Sequence, residues 1–355
     1  TLTEEQLGAN REDLGASVLD HVLEDDYWKD RTPDLSKINV PLLSSANWGG
    51  NGLHPRGNFE GFCDAGSSDK WLEVHGIEHW TEFYTDYGRE IQLAFFDHFL
   101  KGKHNGWSDR PRVQLQIRHP GEKFIERFES SWPLKQTQWT KLYLDGNSKT
   151  LGQTPTSQKA TVSYQGLSEG LTFISQPLEE EMEITGPMAS KLWISSDTVD
   201  ADLFLVFRIF TSDLKEITYQ GALDPHTPIA QGWLRASHRK LDTNKSQPWR
   251  PYHKHDEKQP LKPGEVYELD VEIWPTCIVV PKGYRVALSV RGKDYIYPGP
   301  VDAGLSNMKN AFTGVGPFLH DDPDDRPPEI FDNKVTLHFS ADRQPFILLP
   351  VIPQV

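Results

Sequence analysis

The residues with the greatest chemical capacity lie in Leu72-Glu73-Val74-His75-Gly76-Ile77-Glu78-His79-Trp80. The stretch reads as a short apolar strand opening into a loop that presents His79. A histidine at a strand end is more often structural than catalytic, and what raises His79 is the glycine-rich loop after the preceding strand. A general base needs a free ring nitrogen to take a proton from a hydroxyl nucleophile. His75, inside the strand, is expected to be packed or hydrogen-bonded. The base needs a nucleophile in front of it and a carboxylate behind it, to fix the tautomer and stabilise the imidazolium. Neither is evident in this chain. The literal Gly-x-Ser-x-Gly is Gly166-Leu167-Ser168-Glu169-Gly170, in a polar turn far downstream of His79. A nucleophile elbow needs a buried strand before its serine and a helix after it, so Ser168 is rejected.

Two other clusters have metal-ligand chemistry but poor spacing. His253-Lys254-His255-Asp256 reads as a solvated turn, and the run His320 to Asp325 as an exposed acidic loop without an EF-hand pattern. No metal site, cofactor fingerprint or P-loop is expected. The 37 basic against 51 acidic residues give a formal charge of −14, which disfavours nucleic acid and anionic lipid as partners. No apolar run reaches the roughly 20 residues of a spanning helix. Cys63 and Cys277 are either free thiols or one long-range bridge, and they fix no compartment.

The elements that must position these residues fall into two classes. Residues 1–30 carry Leu14, Val18, Leu19, Val22 and Leu23 at helical spacing. Ile38 to Leu43 reads as a buried strand, followed by the glycine-rich loop Asn47-Trp48-Gly49-Gly50-Asn51-Gly52 and a helix within 53–66. Trp71 to Val74 is a second strand, and Tyr87 to Leu100 an amphipathic helix stopped at Gly102. Strand–loop–helix units in this order are α/β architecture. Beyond Trp107 the pattern changes to short period-two strands: 113–117, 141–144, 183–185, 191–195, 203–209, 266–273, 284–290, 334–339 and 346–351. With 27 glycines and 26 prolines in the chain, this half reads as an antiparallel sandwich. Residues 243–262 read as a long surface loop.

Several of these motifs together resemble the later half of the CocE/NonD-type hydrolases, the group of cocaine esterase, α-amino acid ester hydrolases and X-Pro dipeptidyl-peptidases. They are Ile38 to Leu43, Asn47 to Asn51, Arg56 to Phe62, Trp71 to Gly76 with His79, and Phe95 to Leu100. The resemblance continues through Trp132-Pro133-Leu134, Ile184 to Pro187, Gln231 to Arg239 and Pro263-Gly264-Glu265. It implies the end of an α/β-hydrolase core over 1–107, followed by a jelly-roll β-sandwich over 108–355. It also implies a Ser-His-acid triad in which His79 is the base.

The family's acid falls at Gly49, Gly50 or Asn51, so Asn51 is the provisional orienting residue. An amide orients an imidazole but does not stabilise its cation, a loss of about 10⁴ in kcat in the serine-protease example. Glu60, Asp64 and Glu78 are the nearest substitutes. Trp48 and Trp80 flank the two loops and are candidate walls of a substrate pocket, with a plain core role the alternative for each. The nucleophilic serine is expected on a companion N-terminal segment or chain. The expected activity is cleavage of small-molecule ester or amide bonds, acyl transfer being open to the same residues. A non-catalytic binding or assembly module is the alternative, and homo-oligomerisation is compatible with either.

Overall fold

The computed structural model describes residues 2–50, 52–299, 312, 314–315 and 319–353. The chain begins with three short helices, α1 (Glu4–Ala9), α2 (Leu14–Asp20) and α3 (Asp26–Arg31), each with a side-chain N-cap, from Thr3, Asp13 and Asp25. Their apolar positions are not covered: Leu14, Val18, Leu19 and Val22 are all exposed. Next come β1 (Leu42–Asn47), α4 (Pro55–Asp64), β2 (Lys70–His75), α5 (His79–Tyr84) and α6 (Asp86–Lys101). The first strand starts four residues later than its hydrophobicity suggests. Val40 is exposed, Pro41 has no N–H to donate, and the ladder opens where Leu42 N–H donates to Asp69 O. The buried residues of β1 include Ser44, Ala46 and Asn47, so small size rather than apolarity marks its inner positions.

Strands β3 (Val113–His119) and β4 (Lys123–Glu129) complete the first sheet, in the order β1-β2-β3-β4. The pairs β1/β2 and β2/β3 are parallel, and β3/β4 is antiparallel. Both later strands lie beyond residue 107 in sequence, so the first sheet is built across the 107/108 boundary. Helix α6 packs Ile91 and Phe95 on Trp71 and Trp107, and ends at Gly102, whose φ of 65° is left-handed. Its opposite stripe, Leu93, Phe96 and Leu100, is exposed.

The remainder is β-rich: β5 (Gln138–Asp145), β6 (Thr150–Gly152), β7 (Ala160–Gln165), β8 (Leu171–Ser175), β9 (Met182–Ser196), β10 (Asp202–Phe210), β11 (Glu216–Ile217) and β12 (Ala230–Arg235). After these come β13 (Tyr267–Val280), β14 (Arg285–Arg291), the one-turn α7 (Pro328–Phe331), β15 (Lys334–Phe339) and β16 (Phe346–Ile352). They join in the order β11-β10-β14-β8-β6-β5-β16-β9-β15-β7, with β12 on β10 and β13 on β9. Where the sequence suggests two strands at 183–185 and 191–195, β9 runs unbroken through Gly186 and Pro187. Its partner β13 absorbs the irregularity in a register shift between Ile273 and Thr276. Ser168 sits in the turn after β7, where its hydroxyl donates to Gln165 O and accepts from Gly170 N. It is a turn residue with no helix behind it.

The two parts share one core. Trp48, Phe59, Leu72, Val74 and Leu115 pack with Trp132, Cys277, Val279 and Ile352. Arg118 of β3 is buried, with its guanidinium donating to Cys277 O at 2.8 Å and Ile229 O at 3.0 Å. Such contacts fix the β-rich part against the first sheet and hence against His79. Both cysteines are free thiols.

Candidate active site

The site forms where β1 and β2, parallel neighbours, release their loops at the same end of the sheet, with Asn47 paired to His75. After β2 the chain turns through Gly76, where a Cβ would stand 2.3 Å from the Phe124 ring. Ile77 follows at φ 53°, a left-handed conformation that costs a β-branched residue free energy. Its carbonyl is held by Gly49 N–H at 2.8 Å and Asn47 Nδ2 at 3.1 Å. The glycine-rich loop thus clamps the histidine loop. A third loop, from the β-rich part, joins them: Ala222 N–H donates to Gly49 O at 2.7 Å.

His79 opens α5 and is exposed. Its ring stands edge-on to His54 (centroids 5.1 Å apart) and to Trp80 (4.5 Å). A cavity of about 270 Å³ lies beside it, bounded by Gly49, Leu53, His54 and Trp80 on one side and by Ala222 and Asp224 on the other. Partial desolvation of the ring, then the imidazoles of His54 and His75, pull the His79 pKa below its ordinary value. The neutral, proton-accepting form is therefore favoured. Among the described residues no side chain hydrogen-bonds to the His79 ring. Both ring nitrogens are thus left for groups outside this set.

Two of the three residues that fall on the acid position, Gly49 and Gly50, have no room for a side chain as the loops stand. A Cβ on Gly49 would meet Ile77 O at 2.1 Å, and one on Gly50 would meet Asn47 Oδ1 at 2.8 Å. Asn51 lies outside the described residues. Of the substitutes weighed from sequence, Glu60 is engaged by Arg250. Glu78 is buried and accepts from Gln220 Nε2 at 3.1 Å, and burial raises its pKa. Trp80 lines the cavity, but Trp48 does not. The Trp48 indole is 3% exposed, packed on Phe59 and Trp132, and donates to Gln116 O at 2.8 Å. The core role is the one it fills.

Sequence reasoning missed His54, which precedes α4 without capping it and packs on His79. It also missed the 220–224 loop, which no local pattern connects to the site. A third feature had a signal, two polar residues two apart in an apolar strand. His75 Nδ1 is 3.0 Å from Glu73 Oε2, and the same carboxylate accepts from Tyr87 OH at 2.9 Å and Ser45 Oγ at 2.6 Å. His75 is buried, as the sequence suggests, and its Nε2 has no partner among the described residues.

In the run 253–256, His255 and Asp256 are exposed as expected of a solvated turn, but His253 is not. His253 is half-buried, and His238 Nδ1 lies 2.9 Å from His255 Nδ1. Burial first, then the nearby His255 imidazole, pushes His238 and His253 down to about 4. Among the described residues no three His, Cys, Asp or Glu side chains are grouped to hold a metal. The acidic loop is likewise partly engaged: His320 pairs with Asp294 at 3.0 Å and Asp325 with Arg235 at 2.9 Å.

Residues 105–323 match the X-Pro dipeptidyl-peptidase C-terminal non-catalytic domain. The chain is a member of the CocE/NonD-type hydrolase family. Its structure superposes on a CocE/NonD family hydrolase from Staphylococcus aureus with a TM-score of 0.85 and 30% identity, over 96% of this chain and 59% of that one. An α-amino acid ester hydrolase shares the fold at 14% identity and a TM-score of 0.65, over 98% of this chain and 62% of that one. Cocaine esterase of a Rhodococcus species is 23% identical over 243 residues, 58% of this chain and 38% of the esterase. The CocE/NonD-type chain described here thus spans less than two thirds of each of these relatives. Among its described residues no helix is long and apolar enough to cross a membrane.

Proposed function

We propose that this chain supplies the general base and part of the substrate cavity of a serine hydrolase that cleaves ester or amide bonds. The observation that carries this reading is His79, held at a clamped strand end beside a cavity, with its pKa lowered and its ring nitrogens unclaimed by described residues. A serine on a companion segment attacks the carbonyl carbon and its proton passes to His79. The imidazolium then protonates the leaving group, and water releases the acyl enzyme by the same route. Trp80 walls the cavity, and Asn51 orients the imidazole from the acid position.

The companion segment has two places to bind. Strand β1 ends the first sheet, leaving one edge without a strand among the described residues, and α6 exposes Leu93, Phe96 and Leu100. In this reading residues 1–107 are the end of the hydrolase core, extended by β3 and β4. The β-rich remainder of 108–355, from β5 onward, is a jelly roll shielding the site. The test is turnover of p-nitrophenyl esters and amino-acyl p-nitroanilides by the complete polypeptide and its His79→Ala form. Loss of turnover with retained fold supports the reading, and unchanged turnover contradicts it. A second reading, a non-catalytic assembly module, is favoured by the lack of room for a side chain at Gly49 and Gly50. It predicts no turnover from either form.

A further inference from the structure

A cavity of about 660 Å³, larger than the one at His79, lies where the β-rich part meets α4 and the end of α2. Its floor is built by an i, i+2 pair from each of three strands: Asp202 and Phe204 of β10, Trp233 and Arg235 of β12, and Glu272 and Trp274 of β13. Alternate residues of a strand share a face, so the three strands aim six side chains into one space. The Trp233 and Trp274 rings meet edge to face at 5.3 Å and 76°, offering two non-parallel aromatic surfaces.

The arginines of this cavity are all ion-paired, and Glu24 adds one further carboxylate to the lining. Arg56 pairs with Glu272 at 2.9 Å. Arg235 forks onto Asp202 at 2.8 and 3.0 Å and reaches Asp325 at 2.9 Å, and Arg326 also meets Asp202 at 2.9 Å. No arginine is left unpaired for an anion, and no carboxylate of the floor is left unpaired for a cation. Apart from the Glu24 carboxylate, what stays open is neutral. The Trp233 and Trp274 indole N–H groups have no acceptor among the described residues. The His238 and His255 contact at 2.9 Å between like nitrogens requires at least one neutral imidazole. A neutral imidazole donates at one nitrogen and accepts at the other, as a hydroxyl group does at one oxygen. Tyr252 adds a phenol to the same wall. An apolar ligand would leave these donors without acceptors.

We propose that this cavity binds a neutral, polyhydroxylated ligand, a sugar ring or short oligosaccharide. The C–H faces of the ring lie on Trp233 and Trp274, and its hydroxyls exchange hydrogen bonds with the indole, imidazole, phenol and ion-paired groups. The volume is within the range of pockets that enclose drug-sized ligands. This site is independent of His79 and stands whether or not the hydrolase reading does.

The experiment titrates the complete polypeptide at pH 7 with maltose, cellobiose and lactose, alongside glucuronate and choline. It follows tryptophan fluorescence and the indole N–H resonances. The expected result is saturable binding of at least one neutral disaccharide, with two indole signals shifted. Trp274→Ala weakens that binding at least tenfold, and His79→Ala leaves it unchanged. Absence of saturation by all three disaccharides overturns the proposal, as does tighter binding of choline or glucuronate. If Trp274→Ala fails to fold, the wild-type indole shifts decide. Saturation that leaves both indole signals in place overturns the assignment to this cavity.

Discussion

The backbone N–H of Gly49 donates to the carbonyl of Ile77 at 2.8 Å, joining the glycine-rich loop to the histidine loop at their closest approach. That approach leaves no volume for a side chain at residue 49, since a Cβ there would stand 2.1 Å from the Ile77 oxygen. This contact thus explains why residue 49 is a glycine.

The first prediction follows from this contact. Gly49→Ala forces the two loops apart, destabilises the protein and displaces His79. Gly57→Ala, in the open part of α4 with nothing within 4 Å of the new Cβ, stabilises by about 0.5–1 kcal/mol through helix propensity. Urea midpoints of the two variants measure the contrast. Equal midpoints would show that the loop contact is slack.

The pH dependence of activity tests the environment of His79. Its pKa is lowered, and the base works when neutral, so the acidic limb of kcat/KM in the complete polypeptide lies below pH 6.5. His54→Gln removes one of the neighbouring imidazoles that depress it. The limb then moves to higher pH, whatever happens to the plateau. A limb that stays in place means His54 does not act on His79.

Stability should fall in mild acid because of the cluster beyond the active site. His238 and His253 titrate near 4 in the folded chain and near 6.5 when unfolded. Above pH 6.5 both are neutral in both states and their contribution is complete. Between 6.5 and 4 the unfolded chain binds more protons, so stability drops as pH falls. Near pH 5 unfolding takes up close to two protons at these sites. His255, also lowered, acts in the same direction. The check is the unfolding free energy at pH 7, 6 and 5. His253→Gln should flatten the decline, and an undiminished slope in that variant would assign the effect elsewhere.

Sequence periodicity made the strand before His79 and helix α6 legible, because apolar spacing there coincides with burial of Trp71, Ile91 and Phe95. It misplaced β1, whose inner positions are Ser44, Ala46 and Asn47, and split β9 at a glycine and proline that the strand traverses. Of the site, His79 and Trp80 were legible from their place after a strand. Trp48 was not, since an indole beside a glycine-rich turn reads the same whether it faces a cavity or the core. His54 and the 220–224 loop reach the site only through tertiary packing, to which no local spacing points. Asn51 is in the sequence argument but lies outside the described residues.

The central claim is that His79 activates a serine supplied from outside this chain. The most direct measurement is the rate at which a fluorophosphonate labels the complete polypeptide, with the adduct located by peptide mass, in wild type and His79→Ala. The account predicts one labelled serine, preceding the present chain, whose labelling is lost in the variant. Labelling of that serine at an unchanged rate in His79→Ala, or no labelled serine in the wild type, would contradict it.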